Sequence, residues 1–345
     1  MENKLKDELL LISLHRISFL SLAEKIILLK KLDSFVDLAL MSLNDICSVC
    51  GREIRSSVWD GKQNQAAAER ELRIIEAKKI HWLFYAGSEY PALLRECPNA
   101  PFLLFYRGNS GCLFGRTVSV VGTRRVTREG RRAAWEFSRD AANAGCTVVS
   151  GLAAGIDSAA HRGAVEACFS AVEAGSEANA GKTAAVLPCG CDEVLPHSNA
   201  ALAEKILLSG GCLVSEYVPG VPAEPWRFVQ RNRIIAALSP AAVVIQAPRG
   251  SGALITAQYA LEYNRDVMFH KACFCENACK VSSLVENELS RKAMMGKVSR
   301  SKTENTAERY LEAGAPVIDG YEDYVKCLAE VPGIRSAEKQ QLQLF

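Results

Sequence analysis

The sequence predicts an α/β chain, a doubly wound and mostly parallel sheet with a small helical domain ahead of it. Three observations carry that reading. Short apolar runs of strand length recur through the middle of the chain, helical patterns separate most of them, and several end at a glycine that leads into a helix. At 345 residues, with 49% hydrophobic and 23% charged side chains, the chain has room for more than one core and is globular in composition.

The elements follow in order. Residues 8–43 read as helices, with Leu9, Leu10, Ile12 and Leu14, then Ile26, Ile27, Leu28 and Leu32, at near-helical intervals. Phe19-Leu20-Ser21 occupies the turn where a DNA-gripping helical hairpin would carry glycine, so a small bundle is expected instead. Residues 51–79 are charged and helical in pattern. Pro91, Pro98 and Pro101 then punctuate an extended passage, and the change of rhythm is complete near residue 110. The helical domain is drawn at residues 1–85, the sheet domain at 86–330 and a tail at 331–345.

Within the sheet domain, strands are expected at 117–121, 146–150, 184–187, 212–215, 241–245 and 266–269, with a helix over about 127–144. Residues 314–318 close the sheet. Two stretches break the alternation. Residues 169–181, rich in Ala, Glu, Ser and Gly, read as a surface insertion, and the heavily charged residues 280–310 read as a mobile excursion.

Net charge is +2, from 41 basic and 39 acidic side chains, which excludes a polycation and confines any nucleic-acid affinity to a local patch. Acidic residues stand among the first eight and no apolar run approaches bilayer length, so a cytoplasmic protein without a membrane partner is expected. The thirteen cysteines are odd in number and several, such as Cys146 and Cys212, sit in apolar runs; they read as reduced core thiols. Cys47 and Cys50 lack a second pair. His270, Cys273, Cys275 and Cys279 offer four metal ligands in ten residues, at a spacing foreign to structural zinc; neither metal nor cofactor is expected.

Ligands of a doubly wound sheet bind beyond the carboxyl ends of its strands. Three loops expected there are glycine-rich: Val121-Gly122-Thr123-Arg124-Arg125, then Ser150-Gly151-Leu152-Ala153-Ala154-Gly155-Ile156-Asp157, then Arg249-Gly250-Ser251-Gly252-Ala253-Leu254-Ile255-Thr256. Such loops bring backbone N–H groups and helix N-termini to a phosphate. A dinucleotide fingerprint is missing after the first of these strands and no Walker lysine motif is present, which disfavours soluble nucleotides. Seven arginines and two glutamates lie between Arg116 and Arg139, and Arg124 is the foremost phosphate ligand. Trp226-Arg227-Phe228-Val229-Gln230-Arg231-Asn232-Arg233 interleaves aromatics with guanidiniums, as single-stranded nucleic-acid binding requires. The plainer alternative makes Phe228 or Trp226 a core anchor and pairs Arg231 or Arg233 with a carboxylate. No activated nucleophile or carboxylate pair stands near His161 or His197; Asp157 is expected to cap a helix and His161 to be a hydrogen-bonded structural residue, so an enzyme is not expected.

Taken together, Val121-Gly122-Thr123-Arg124, the loop 150–157 with His161, Ser215-Glu216-Tyr217, Phe228-Val229-Gln230-Arg231-Asn232-Arg233-Ile234-Ile235 and Ser251-Gly252-Ala253-Leu254-Ile255-Thr256-Ala257 resemble the DNA-processing protein A family (DprA, also called Smf) in order and spacing over about residues 90–270. The resemblance implies an extended Rossmann-like domain after a SAM-like helical one, and a recombination mediator without turnover. It implies single-stranded DNA as ligand during natural transformation, the RecA recombinase and a single-strand binding protein as partners, and a homodimer. Gly122, Thr123 and Arg124 would hold a backbone phosphate. Ser150, Gly151 and Gly155 would line the pocket through their main chain, Phe228, Arg231, Asn232 and Arg233 would form one wall, and Ser251, Gly252 and Thr256 the opposite lip. The chain departs from the family after Phe269, where His270-Lys271-Ala272-Cys273 replaces the usual Pro-Gly. Two rivals remain: a nucleotide-processing enzyme of nucleoside-monophosphate glycosidase type, whose Gly-Gly-x-Gly-Thr loop is not found, and an interaction scaffold.

Overall fold

Strands buried on both faces must be apolar or small at every position, and the runs at the centre of this chain are. In the computed structural model, which describes residues 8–55, 58–175, 181–295 and 304–330, nine strands form one sheet in the order β1-β2-β6-β5-β4-β3-β7-β8-β9. They are β1 (His81–Phe84), β2 (Leu103–Gly108), β3 (Thr117–Val121), β4 (Thr147–Ser150), β5 (Thr183–Val186), β6 (Cys212–Ser215), β7 (Ala241–Val244), β8 (Asp266–His270) and β9 (Val317–Ile318). Every residue of β3 through β7 is buried. Pairing is parallel from β6 across to β9, while β1, β2 and β6 pair antiparallel at the other edge. The chain leaves β3 toward β4, β5 and β6, then returns to β7 on β3's other side. The carboxyl ends of β3 and β7 therefore flank a topological switch point, the place where loops diverge and leave a crevice.

Helices α7 (Arg128–Asn143) and α8 (Ile156–Glu173) cover one face, burying Ala133, Phe137, Ile156 and Ala160 against Val118, Val120, Val148 and Val243. On the other face, α10 (Pro225–Ala237) and α11 (Gly252–Glu262) bury Ile234, Leu254 and Ala257 with Val121, Val149 and Val244. Helix α9 (Ala200–Leu208) packs beside α8 on β5 and β6.

The N-terminal helices are α1 (Glu8–Arg16), α2 (Leu22–Lys31), α3 (Phe35–Leu40), α4 (Leu43–Cys50) and α5 (Gly61–Ala77). Ser21, Ser34 and Ser42 start α2, α3 and α4 with capping boxes closed by Glu24, Asp37 and Asp45. Leu10, Leu14, Leu28, Phe35 and Leu38 bury against one another and against Phe102, Leu103 and Phe105, so the bundle shares a core with the edge of the sheet. Strand β1 lies inside residues 1–85 and pairs with β2; it belongs to the sheet, with the short helix α6 (Ala92–Arg95) following it.

Both supposed interruptions are largely helical where described. Residues 169–173 continue α8, while 176–180 lie outside the described residues. Residues 276–294 form α12 (Glu276–Met294), followed by α13 (Ala307–Glu312), β9 and α14 (Tyr321–Glu330); residues 296–303 and the tail 331–345 lie outside the described residues. The excess of charge in 280–294 is the solvent face of a helix, laced by pairs such as Lys280 with Glu276 at 2.6 Å. No described helix is long and apolar enough to cross a membrane.

None of the thirteen cysteines is in a disulfide, and most are buried. Of the four candidate ligands, His270 is engaged elsewhere, its Nδ1 accepting from the Ala272 N–H and its Nε2 donating to the Asp319 carbonyl, while burial pushes the Cys273 thiol up to about 12. Among the described residues no group of three or more potential ligands comes together.

Candidate nucleic-acid interface

A cleft of about 440 Å³ opens at the switch point. Its lips are the loop after β3, with Gly122, Thr123, Arg124 and Arg125, and the loop after β7, with Pro248, Arg249, Gly250, Ser251 and Gly252; Phe228, Arg231 and Asn232 of α10 form the wall between them. Of the residues expected to make the site, Gly122, Thr123, Arg124, Phe228, Arg231, Asn232, Ser251, Gly252 and Thr256 line this cleft.

The lips are tied by hydrogen bonds. Thr123 donates its N–H to the Gln246 carbonyl at 2.7 Å and accepts through its own carbonyl from Ile156 N–H at 3.2 Å, while its hydroxyl receives Arg125 N–H at 3.1 Å. Asn232 Nδ2 donates to the Gly252 carbonyl at 3.3 Å, joining α10 to the far lip. Ser251 is the N-cap of α11, its Oγ accepting from Ala253 N–H at 3.3 Å. The Arg124 guanidinium is exposed and stands 5.1 Å from the Phe228 ring centroid; its charge acts on the buried Asp157 carboxyl without a direct salt bridge to an acidic side chain among the described residues. A cation held over an aromatic face is aimed without being neutralised.

Four expected site residues lie elsewhere, each for a packing reason. Ser150 is buried with its hydroxyl donating to the Val120 carbonyl at 2.6 Å. Gly151 is small because the Arg231 guanidinium occupies the space a Cβ would need, 2.0 Å from Nη1. Gly155 has φ +92° and would put a Cβ 2.4 Å from the Thr123 carbonyl oxygen; it lets the β3 and β4 loops press together. Arg233 is buried on α10, where its guanidinium pairs with Glu216, just after β6, and donates to the Asn99 carbonyl.

Arg231 reaches the cleft floor but is only 3% exposed, and its Nη1 donates to the Val186 carbonyl. Burial holds its pKa down to about 10, with the Asp157 carboxylate opposing that shift. Burial in turn pushes Asp157 up, and Arg231, the Ala153 N–H and Arg124 pull it back. Asp157 is thus the buried counter-charge of Arg231 and lines the cleft. It is not the expected N-cap, a position that Gly155 holds at α8. The cleft brings neither histidine nor cysteine to Asp157 among the described residues.

His161 is structural, though no cap. The single Thr183 hydroxyl proton goes to the Val148 carbonyl at 2.8 Å, so His161 Nδ1, 2.7 Å away, must donate to that oxygen. Burial holds the imidazole neutral, with its pKa down to about 3. The unfolded chain takes up this proton near pH 6.5, so the stabilisation from the neutral ring is lost as pH falls from 6.5 toward 3. Relative to a His161→Gln variant, the parent should lose up to about 2 kcal/mol between pH 7 and pH 5. Urea unfolding at both pH values measures this; parallel profiles would contradict it.

Two cleft residues beyond the expected set, Arg125 and Arg249, stand in the glycine-rich loops 121–125 and 249–256, and α12 joins them there. That helix closes the remaining side of the cleft with Val285, Glu288, Leu289 and Lys292. Glu288 Oε1 lies 3.1 Å from Arg125 Nη1 and Glu286 Oε1 2.6 Å from Arg249 Nη1.

A family model described as DNA recombination-mediator protein A matches residues 81–328. The Protein Smf of Synechocystis sp. is 39% identical over 213 residues, 60% of this chain and 50% of that protein. The chain spans about half to two thirds of the length of the curated relatives it matches. Among solved structures, DNA processing protein A from Streptococcus pneumoniae is similar with a TM-score of 0.65 at 26% identity, covering 94% of this chain and 98% of that one. The Helicobacter pylori protein, whose structure describes a single-stranded DNA binding mode, shares the fold with a TM-score of 0.53 at 20% identity, over 73% of this chain and 96% of that one.

Proposed function

The chain belongs to the DNA recombination-mediator protein A family, and from that premise we propose that it binds single-stranded DNA in the switch-point cleft, by contact and without turnover. The observation that supports this most is Arg124: an exposed guanidinium at a strand end, set against the Phe228 ring and in no direct salt bridge among the described residues. A strand's phosphate meets that cation, and the neighbouring lip after β7 receives the next stretch of backbone. We further propose that the bound strand is incoming DNA in natural transformation, and that the protein hands it to the RecA recombinase in the cytoplasm, working as a dimer alongside a single-strand binding protein.

Binding of this kind is driven by counterion release. The test is fluorescence anisotropy with labelled single-stranded and duplex oligonucleotides at several salt concentrations. Affinity for the single strand should exceed that for duplex and fall as salt rises, by about 0.7 in log–log slope for each phosphate contacted. Salt-independent binding, or a preference for duplex, would contradict the reading. Incubation with nucleotides and a search for released base tests the glycosidase rival; release of base would replace the binding reading.

A further inference from the structure

We infer that Arg125 and Arg249 are additional phosphate ligands of this cleft, held in reserve by α12, whose Glu288 and Glu286 occupy the places of two phosphates until a strand displaces them. The inference rests on the single-stranded DNA reading above.

The two arginines come from opposite lips of the switch point, Arg125 after β3 and Arg249 after β7, and both lie on the cleft lining. Each meets a carboxylate from the same helix, through the Glu288 and Glu286 contacts already described. One helix thus bridges both lips and neutralises two of the three arginines that the lips present, leaving Arg124 for a first contact. An oxyanion on a guanidinium is what a DNA phosphate would supply, so carboxylate and phosphate compete for the same donors.

The attachment of α12 suits displacement. Of its nineteen residues only Ala278 and Leu289 are buried. The side chains of its bridging pairs are exposed, 62% and 49% for Arg125–Glu288 and 37% and 44% for Arg249–Glu286. Exposed pairs of this kind contribute little and are weakened by salt. The N-terminal end is fastened more firmly: Ala278 is buried, Asn277 Nδ2 donates to Glu129 Oε1 at 2.9 Å, and the preceding turn meets Gln246 through the Ala272 carbonyl at 2.9 Å. The helix therefore has a fixed root, and its span over the cleft is held by the buried Leu289 and the two exposed ion pairs. A strand bringing several phosphates replaces both carboxylates at once, whereas α12 stays tethered at its root.

Three full-chain proteins test this by anisotropy with a labelled twenty-nucleotide oligo(dT): the parent, E286Q/E288Q, and the quadruple variant that adds R125Q/R249Q. The double variant should bind about three- to tenfold tighter than the parent, with a salt slope steeper by about one. The quadruple variant should lose that gain. Equal affinity and slope for parent and double variant, with binding still dependent on Arg124, would overturn the reserve role of α12 while leaving the cleft reading intact. A gain that survives removal of Arg125 and Arg249 would overturn it as well, since net charge alone would account for it. No binding by any of the three would remove the cleft reading and this inference together.

Discussion

Arg124→Glu should reduce single-stranded DNA affinity by about a hundredfold, and Arg124→Ala by about tenfold or more, with thermal stability unchanged. The guanidinium is exposed and makes no ion pair among the described residues, so its removal costs the fold little. A hydrogen bond to a charged partner contributes about 1.5–3 kcal/mol, or roughly ten- to a hundredfold in affinity, and glutamate adds repulsion of the phosphate. Anisotropy titration reads the affinity and circular dichroism the fold. Unchanged affinity in a folded Arg124→Glu protein would take Arg124 out of the interface.

Arg233→Met should have a large effect of the opposite kind, destabilising the protein by about 3–5 kcal/mol. Arg233 and Glu216 form an ion pair whose side chains are 10% and 12% exposed. Burial pushes the Glu216 carboxyl upward, and Arg233, the Tyr217 hydroxyl and Lys25 pull it back. Removing the guanidinium strands a buried carboxylate and leaves the Asn99 carbonyl without its donor. The double variant E216Q/R233M should recover much of the loss, since an uncharged pair leaves no buried charge between them; Lys25, whose Nζ also donates to the His15 carbonyl at 2.9 Å, keeps the recovery partial. Its single-stranded DNA affinity should stay within about twofold of the parent, because Arg233 does not line the cleft. Urea unfolding and anisotropy separate the two effects. A stable Arg233→Met protein that no longer binds DNA would restore Arg233 to the interface.

The central sheet was legible because parallel strands covered on both faces concentrate apolar residues, as in Thr117–Val121 and Ala241–Val244, and glycines close several of them. β1 was not legible: His81–Phe84 is a half-exposed edge strand whose mixed pattern resembles a loop. Arg124, Phe228 and the lip after β7 could be chosen from the sequence because each stands at a strand end or opens a helix there. The roles of Gly151 and Gly155 could not, since what presses against them, Arg231 and Thr123, comes from other parts of the chain.

Arg231 and Arg233 are two residues apart on α10, about 200° around a helix, so both could not face the same cleft. The docking of α12 was hidden for a different reason. Two buried residues in nineteen make too sparse a stripe to read, and Arg125, which Glu288 meets, lies 163 residues away in the chain.

Photo-crosslinking with an oligonucleotide carrying 5-iodouracil, followed by mass spectrometry of the digested protein, locates the bound strand directly. Crosslinks should fall in peptides spanning 122–125, 225–232 and 249–256, and should disappear with Arg124→Glu. Crosslinks confined to the N-terminal helices, or unchanged in that variant, would show that the strand binds elsewhere.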